Sequence, residues 1–166
     1  MRPRTNRLRA GPGFTIIELM VTIAILAIML AVGVPSFRAF INNQRVKAAA
    51  TEMMTSVLIS RSDAIKRNAA VTIAPTVAGD WTQGWSATAT IGGVATTLHA
   101  QEAVQSIVMT TYTDSTCTTA GAVANMVFTN TGRPAAASCF KFAADSTTTA
   151  RCVKVDLTGI PSSSSC

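Results

Sequence analysis

The chain has 166 residues, 48% of them hydrophobic, and a formal net charge of +6. That length accommodates one modest core plus an appendage and excludes a large multidomain assembly. Four of its fourteen basic residues, Arg2, Arg4, Arg7 and Arg9, lie in the first nine positions, so from residue 14 onward ten basic groups face eight acidic ones; a remainder of +2 is not the strongly basic surface of a dedicated nucleic-acid binder.

In chain order, the first predicted element is the apolar run from Phe14 to Val34, FTIIELMVTIAILAIMLAVGV, whose only ionisable member is Glu18. As a helix its 21 residues reach about 31 Å at 1.5 Å per residue, which matches a hydrocarbon core of roughly 30 Å. Arginines before such a segment, with no acid among them, hold that end in the cytoplasm and send the residues beyond Val34 to the other side. A secretory signal places its small-residue cleavage site after the apolar stretch; here Gly11-Pro12-Gly13 comes before it. A carboxylate within a membrane helix costs roughly 3 kcal/mol and is functional by default.

Pro35 lacks an N–H and is expected to kink or loosen the helix at that point, but the helical pattern resumes beyond it. Val46, Ala50, Met53, Val57, Ser60 and Ala64 recur at steps of four and three and form one small and apolar stripe. Arg45, Lys47, Glu52, Arg61, Asp63, Lys66 and Arg67 lie opposite and read as a solvated face, their interspersed acids arguing against a nucleic-acid patch. The pattern ends near Asn68.

Short alternating runs come next. Val71–Ile73 reads as a strand stopped by Pro75; residues 84–91 and 94–99 flank Gly92-Gly93 as a hairpin. Residues 106–113, 125–129, 138–143 and 151–157 are further strand candidates, the last with Val153, Val155 and Leu157 alternating against Cys152, Lys154 and Asp156. Trp81 and Trp85 are expected in the core under a loop, Gly132-Arg133-Pro134 in a turn, and the Ser/Thr stretches at 145–149 and 162–165 in surface loops. A long helix laid on an antiparallel sheet buries both stripes most simply.

Cys117, Cys139, Cys152 and Cys166 all lie in the exported part, and without a C-x-x-C pair they read as disulfides rather than metal ligands. Four cysteines allow three connectivities, among which spacing does not choose. We expect Cys152 to pair with Cys166, which would pin a tail expected to be strandless, and Cys117 to pair with Cys139. His99 is the only histidine and has no nucleophile or ligand partner at motif spacing. No G-x-S-x-G, phosphate-cradling loop or metal motif occurs, so neither catalysis, nor a cofactor, nor a metal is expected.

The segment Gly11-Pro12-Gly13-Phe14-Thr15-Ile16-Ile17-Glu18 resembles the prepilin signature of type IV pilin-like proteins. The resemblance implies cleavage between Gly13 and Phe14 by a prepilin peptidase, N-methylation of Phe14, and an assembly role for Glu18, which can neutralise the new amine of an adjacent subunit. It also implies an α+β pilin fold: leader 1–13, membrane-spanning assembly helix 14–34, amphipathic continuation 35–68 with Pro35 at its start, and periplasmic antiparallel β domain 69–166.

Ser60-Arg61-Ser62-Asp63-Ala64 leading into Val71-Thr72-Ile73, then Asp80-Trp81, Gly84-Trp85, Phe128 and Gly132-Arg133, is similar to the GspH/FimT-type minor pilins and pseudopilins. That similarity implies a FimU-like minor pilin that helps initiate a type IV pilus near its tip. Its implied partners are other minor pilins, the major pilin, the peptidase and the inner-membrane assembly platform. A type II secretion pseudopilin of GspH type is the alternative. A third reading is DNA capture for natural transformation. Some FimT-like proteins do this with C-terminal arginines, but here that end reads Thr158-Gly159-Ile160-Pro161-Ser162; Arg133, Lys141, Arg151 and Lys154 are the remaining candidates for a weak DNA contact. The mature chain is expected to begin at a methylated Phe14, which an intact-mass measurement on membrane or fibre material checks; retention of residues 1–13 would refute it.

Overall fold

The computed structural model describes residues 13–145 and 148–166, apart from the side chain of Val32. Helix α1 (Ile16–Arg67) is unbroken through Pro35, so the expected loosening does not end the helical assignment there. Its N-terminus is capped by Thr15, whose Oγ1 accepts the Glu18 N–H at 3.3 Å. At the other end Asn68 adopts φ 49°, its N–H bonding to the carbonyl of Ile65 and that of Ala69 to Ala64. This left-handed stop is one that asparagine tolerates, and Lys66 and Arg67 in the last turn complement the helix dipole.

Two compact units divide the chain, one ending at Arg38 and the other covering Ala39–Cys166. From Ile16 the first is helix, and its described large apolar side chains are exposed. The second contains the remainder of α1 and eight strands: β1 (Val71–Val77), β2 (Asp80–Ile91), β3 (Val94–Gln101), β4 (Val108–Tyr112), β5 (Met126–Phe128), β6 (Ser138–Ala143), β7 (Arg151–Val155) and β8 (Pro161–Ser165). The expected antiparallel β region takes the form of two four-stranded sheets, ordered β3-β2-β1-β5 and β4-β6-β7-β8, with all pairings antiparallel.

Every residue of the stripe Val46, Ala50, Met53, Val57, Ser60 and Ala64 is buried, and the apolar members share one cluster with Ile73, Trp81 and Trp85 of the first sheet and Phe140, Phe142 and Val153 of the second. The tryptophans explain why serine belongs on this helix face. Trp85 Nε1 donates to Ser56 Oγ at 2.9 Å, a partner that a buried indole needs and a small side chain that leaves room for its ring. Trp81 Nε1 donates to the Val123 carbonyl at 2.8 Å while its ring meets Phe140 edge-on, centroids 4.9 Å apart. That contact joins the two sheets.

Four local readings are corrected. Pro75 does not stop β1; it pairs with Trp85 at a point where the β5 partner, which reaches only Ile73, has already ended, so its missing N–H breaks no ladder on that side. Leu157 lies beyond the end of β7 and is 54% exposed, because the alternation outlasts the strand. Ser162–Ser165 is not a loop but most of β8, paired with β7 along its length, so the tail is not strandless. Four serines carry no apolar alternation from which a strand could be read. Arg61 is not merely solvated: its Nε donates to the Gly132 carbonyl at 3.1 Å.

This last contact belongs to an interlock at the end of α1. Gly132 and Gly159 have φ 74° and 76°, and a Cβ on Gly159 would collide with the Gly132 carbonyl oxygen. Gly79, with φ 79°, has open space where a Cβ would stand. Both Gly→Ala changes carry the conformational penalty, but only Gly159→Ala adds a backbone collision. Thermal unfolding is therefore expected to show a clearly larger drop in Tm for Gly159→Ala than for Gly79→Ala; equal drops would show that the two loops are not locked together.

Candidate functional site

Gly13 and Phe14 precede the first turn of α1 and are exposed, Phe14 by 79%. The sequence reaches Glu18 through Thr15-Ile16-Ile17, placing a capping threonine and a glutamate three residues apart at the helix start. This is the spacing of a capping box, a signal that is legible in the sequence itself. The Glu18 side chain, in the first turn of α1, has no partner among the described residues. Around it Ile16, Ile17, Leu19, Met20 and Val21 are all exposed, and the most hydropathic 18-residue window of α1 is 0% buried. Residues 1–12, including Arg2, Arg4, Arg7, Arg9 and Gly11-Pro12, lie outside the described residues.

The second sheet gathers four of the sequence candidates on one face. In the β6–β7 register Lys141 lies opposite Cys152 and Cys139 opposite Lys154. Because side chains alternate along a strand, these four share a face, and Phe140, Phe142, Val153 and Val155 take the other, buried one. Cys139 bridges to Cys117 and Cys152 to Cys166, with Cα–Cα distances of 5.4 and 5.2 Å. The sulfurs of Cys117, Cys139 and Cys152 lie within 4.8 Å of one another because two bridges pack side by side; sulfurs bonded to one another offer no thiolate to a metal. One bridge ties down the β4–β5 connection and the other the end of β8.

Next to the first bridge the backbone turns around Asp114. Its carboxylate accepts the N–H groups of Thr116, Thr118 and Thr119 and the hydroxyl of Thr118. Hydrogen bonds from Thr119 above all, and then from Thr118, outweigh desolvation and hold this carboxyl well below the usual range.

The four basic candidates fall into three places. Lys141 and Lys154 flank a hollow of about 270 Å³ shared with Tyr112 and Thr116. Arg133 donates from Nε to the Leu157 carbonyl at 3.2 Å, bracing the Gly132 and Gly159 loops. Arg151 lines a different cavity, together with Lys47 of α1. His99 gains neighbours that its sequence spacing did not show: Ser60 Oγ lies 3.5 Å from Nε2, and Asp63 acts on the ring electrostatically. Burial lowers the imidazole pKa and Asp63 partly offsets this. Ser60 is wholly buried, so this grouping presents no accessible nucleophile.

Residues 49–159 match the family described as type II transport protein GspH, and residues 12–34 match the prokaryotic N-terminal methylation motif. No curated protein sequence matches the chain. Among solved structures, the type IV minor pilin FimU of Pseudomonas aeruginosa superposes with a TM-score of 0.60 at 19% identity, covering 74% of this chain and 90% of that one. The minor pseudopilin EpsH from the type II secretion system of Vibrio cholerae gives a TM-score of 0.56 at 7% identity, covering 74% of this chain and 95% of the other. At such identities the likeness is one of fold.

The Asp114 turn yields a pH prediction. A carboxyl whose folded pKa is depressed contributes stability above its unfolded value, about 3.9, and that contribution is lost as pH falls through the folded value. The amide resonances of Thr118 and Thr119 are expected to hold steady from neutral pH to about 4 and to move only in stronger acid, whereas Asp114→Asn should speed their hydrogen exchange at neutral pH. A transition near the ordinary carboxylate value would contradict this.

Proposed function

The chain belongs to the GspH family of minor pilins and pseudopilins, and we propose that it is built into a type IV pilus, where it helps initiate assembly near the fibre tip. Members of this family are structural subunits rather than enzymes and assemble with other fibre components. The observation that carries the proposal is an apolar, exposed helix headed by one carboxylate, with a methylation motif spanning residues 12–34.

In this reading a prepilin peptidase cuts between Gly13 and Phe14, which precede the helix and are exposed. Cleavage creates an α-amine at Phe14, which is then methylated. The helix anchors the subunit in the inner membrane with its N-terminus cytoplasmic and the domain from Ala39 onward periplasmic. On extraction into the growing fibre, Glu18 pairs with the Phe14 amine of a neighbour. In low dielectric either charge left alone is costly, so the pair sets the axial register between subunits. Pro35 sits at the junction between the spanning run and the domain helix, where a missing hydrogen bond makes local adjustment of α1 easier. The partners are other minor pilins, the major pilin and the assembly platform.

A second reading, a pseudopilin of a type II secretion system, is favoured by the family's own description as a type II transport protein. Co-purification of the chain with sheared surface fibres supports the first reading, and dependence of protein secretion on it, without surface fibres, supports the second. DNA capture has less support, because Lys141 and Lys154, Arg133, and Arg151 occupy separate places.

Glu18→Ala is expected to leave membrane insertion intact and to reduce recovery in fibres by about tenfold or more, because an unpaired buried charge costs roughly 3–5 kcal/mol. Glu18→Asp, which keeps the charge, should retain more incorporation than Glu18→Ala. Quantitative immunoblots of sheared fibres against the membrane fraction check this, and normal incorporation of the alanine variant would remove register pairing as the role of Glu18.

A further inference from the structure

We propose that the cavity between α1 and the start of β7 binds the phosphate of an anionic phospholipid headgroup. The cavity, about 410 Å³, is lined by Phe40, Asn43 and Lys47 from the helix and by Thr149 and Arg151 from the strand side. Its size suits a glycerophosphate group. Lys47 and Arg151 also line the adjoining hollow with Thr51 and Ser163, so two cations from distant parts of the sequence converge on one place. Neither hollow has an acidic lining residue. The ion pair seen among the described residues, Arg67 with Asp63, lies elsewhere on α1. The nearby Asp145 accepts from Asn42 Nδ2 at 2.8 Å.

The polar groups are biased toward donation. Asn43 Oδ1 accepts the Thr149 N–H at 3.2 Å, which fixes the amide so that its remaining group is the NH₂ donor. Gln44 and Ser165 in the same lining can donate or accept, while the ammonium and guanidinium give the site charged N–H donors for a phosphodiester and repel a cation.

Phe40 decides between a lipid and other phosphates. It is 57% exposed at the rim of a charged cavity and lies six residues beyond Val34, the end of the apolar run. An exposed aromatic ring beside basic side chains is suited to the boundary between headgroups and acyl chains, where each has a solvent it prefers. Neither free phosphate nor the outside of a DNA duplex uses such a ring. The proposal rests on the membrane-anchored reading given above. Its consequence is that the domain is held against the headgroup layer before extraction, and that this contact breaks as the subunit enters the fibre.

The test uses the full chain in neutral detergent micelles, with phosphatidylglycerol and phosphatidylcholine as probes and native mass spectrometry counting bound lipids. The variants are Lys47→Gln/Arg151→Gln and Lys47→Glu/Arg151→Glu, with Lys141→Glu/Lys154→Glu as a control for net charge and circular dichroism as a control for folding. Phosphatidylglycerol is expected to exceed phosphatidylcholine in the unmodified chain and in the Lys141/Lys154 control, and to fall by about tenfold or more when Lys47 and Arg151 are changed, since each basic residue near an anionic surface contributes about fivefold. Retention of phosphatidylglycerol by folded Lys47/Arg151 variants overturns the proposal. So does displacement by equimolar inorganic phosphate, which would make this a free-phosphate site, or by a short DNA duplex, which would assign it to nucleic acid. Failure of the unmodified chain to partition into membranes would instead remove the anchored reading itself, and this proposal with it.

Discussion

Ser56 on α1 holds the key contact of the domain, because it gives one of the core's two tryptophans both room and an acceptor. Trp85 is fully buried and needs both space for its ring and an acceptor for its indole N–H. A serine one turn from Met53 and beside Val57 supplies both, and Ala49, Ala50 and Ala64 keep the rest of the helix face low. A larger residue at Ser56 would displace the ring, and an alanine would leave a buried donor without its partner. Two sheets close over this face together, with Trp81 and Phe140 touching between them, so the helix stripe, both sheets and both tryptophans form one packing problem with one solution.

Around that core the loops are held by backbone contacts, hydrogen bonds and disulfides more than by apolar burial. The Gly132 and Gly159 turns meet backbone to backbone, with Arg61 bonded to the Gly132 carbonyl and Arg133 to the Leu157 carbonyl. Two adjacent disulfides secure a Thr-rich connection and a serine strand that have almost no apolar surface with which to anchor themselves. In the chain-entropy description a bridge closing about fifteen residues contributes roughly 3 kcal/mol, a contribution that Pro161–Ser165 cannot obtain from burial, since most of its residues are exposed. The second sheet therefore combines an apolar inner face with an outer face of cystines and lysines.

The first unit has the opposite character. Residues 14–34 lie almost wholly in a helix that satisfies its own backbone but leaves its apolar side chains uncovered. Hydrocarbon or the like helices of neighbouring subunits are the environments that remove such a surface from water, and a pilin-like life cycle passes from one to the other. In the assembly reading proposed above, Glu18 is costly in the first environment and paired in the second, a difference that would give assembly a direction.

Much of this was legible in one dimension. A 21-residue apolar run with a single carboxylate announces its own environment, since no soluble core is needed to interpret it. The stripe from Val46 to Ala64 was readable because helical periodicity is a property of neighbouring residues, and the Gly92-Gly93 hairpin because a two-residue turn is encoded where it occurs. What tertiary structure alone decided is whatever depends on residues far apart: the division of eight strands into two sheets, the strand formed by four serines, the meeting of the Gly132 and Gly159 backbones, and the two disulfides side by side. It also decided that Lys141 and Lys154 share one face, that Arg133 braces a loop, and that Arg151 joins Lys47. Local pattern encodes which face of an element is apolar; which distant element covers that face depends on the packing of all of them at once, and no window of sequence contains it.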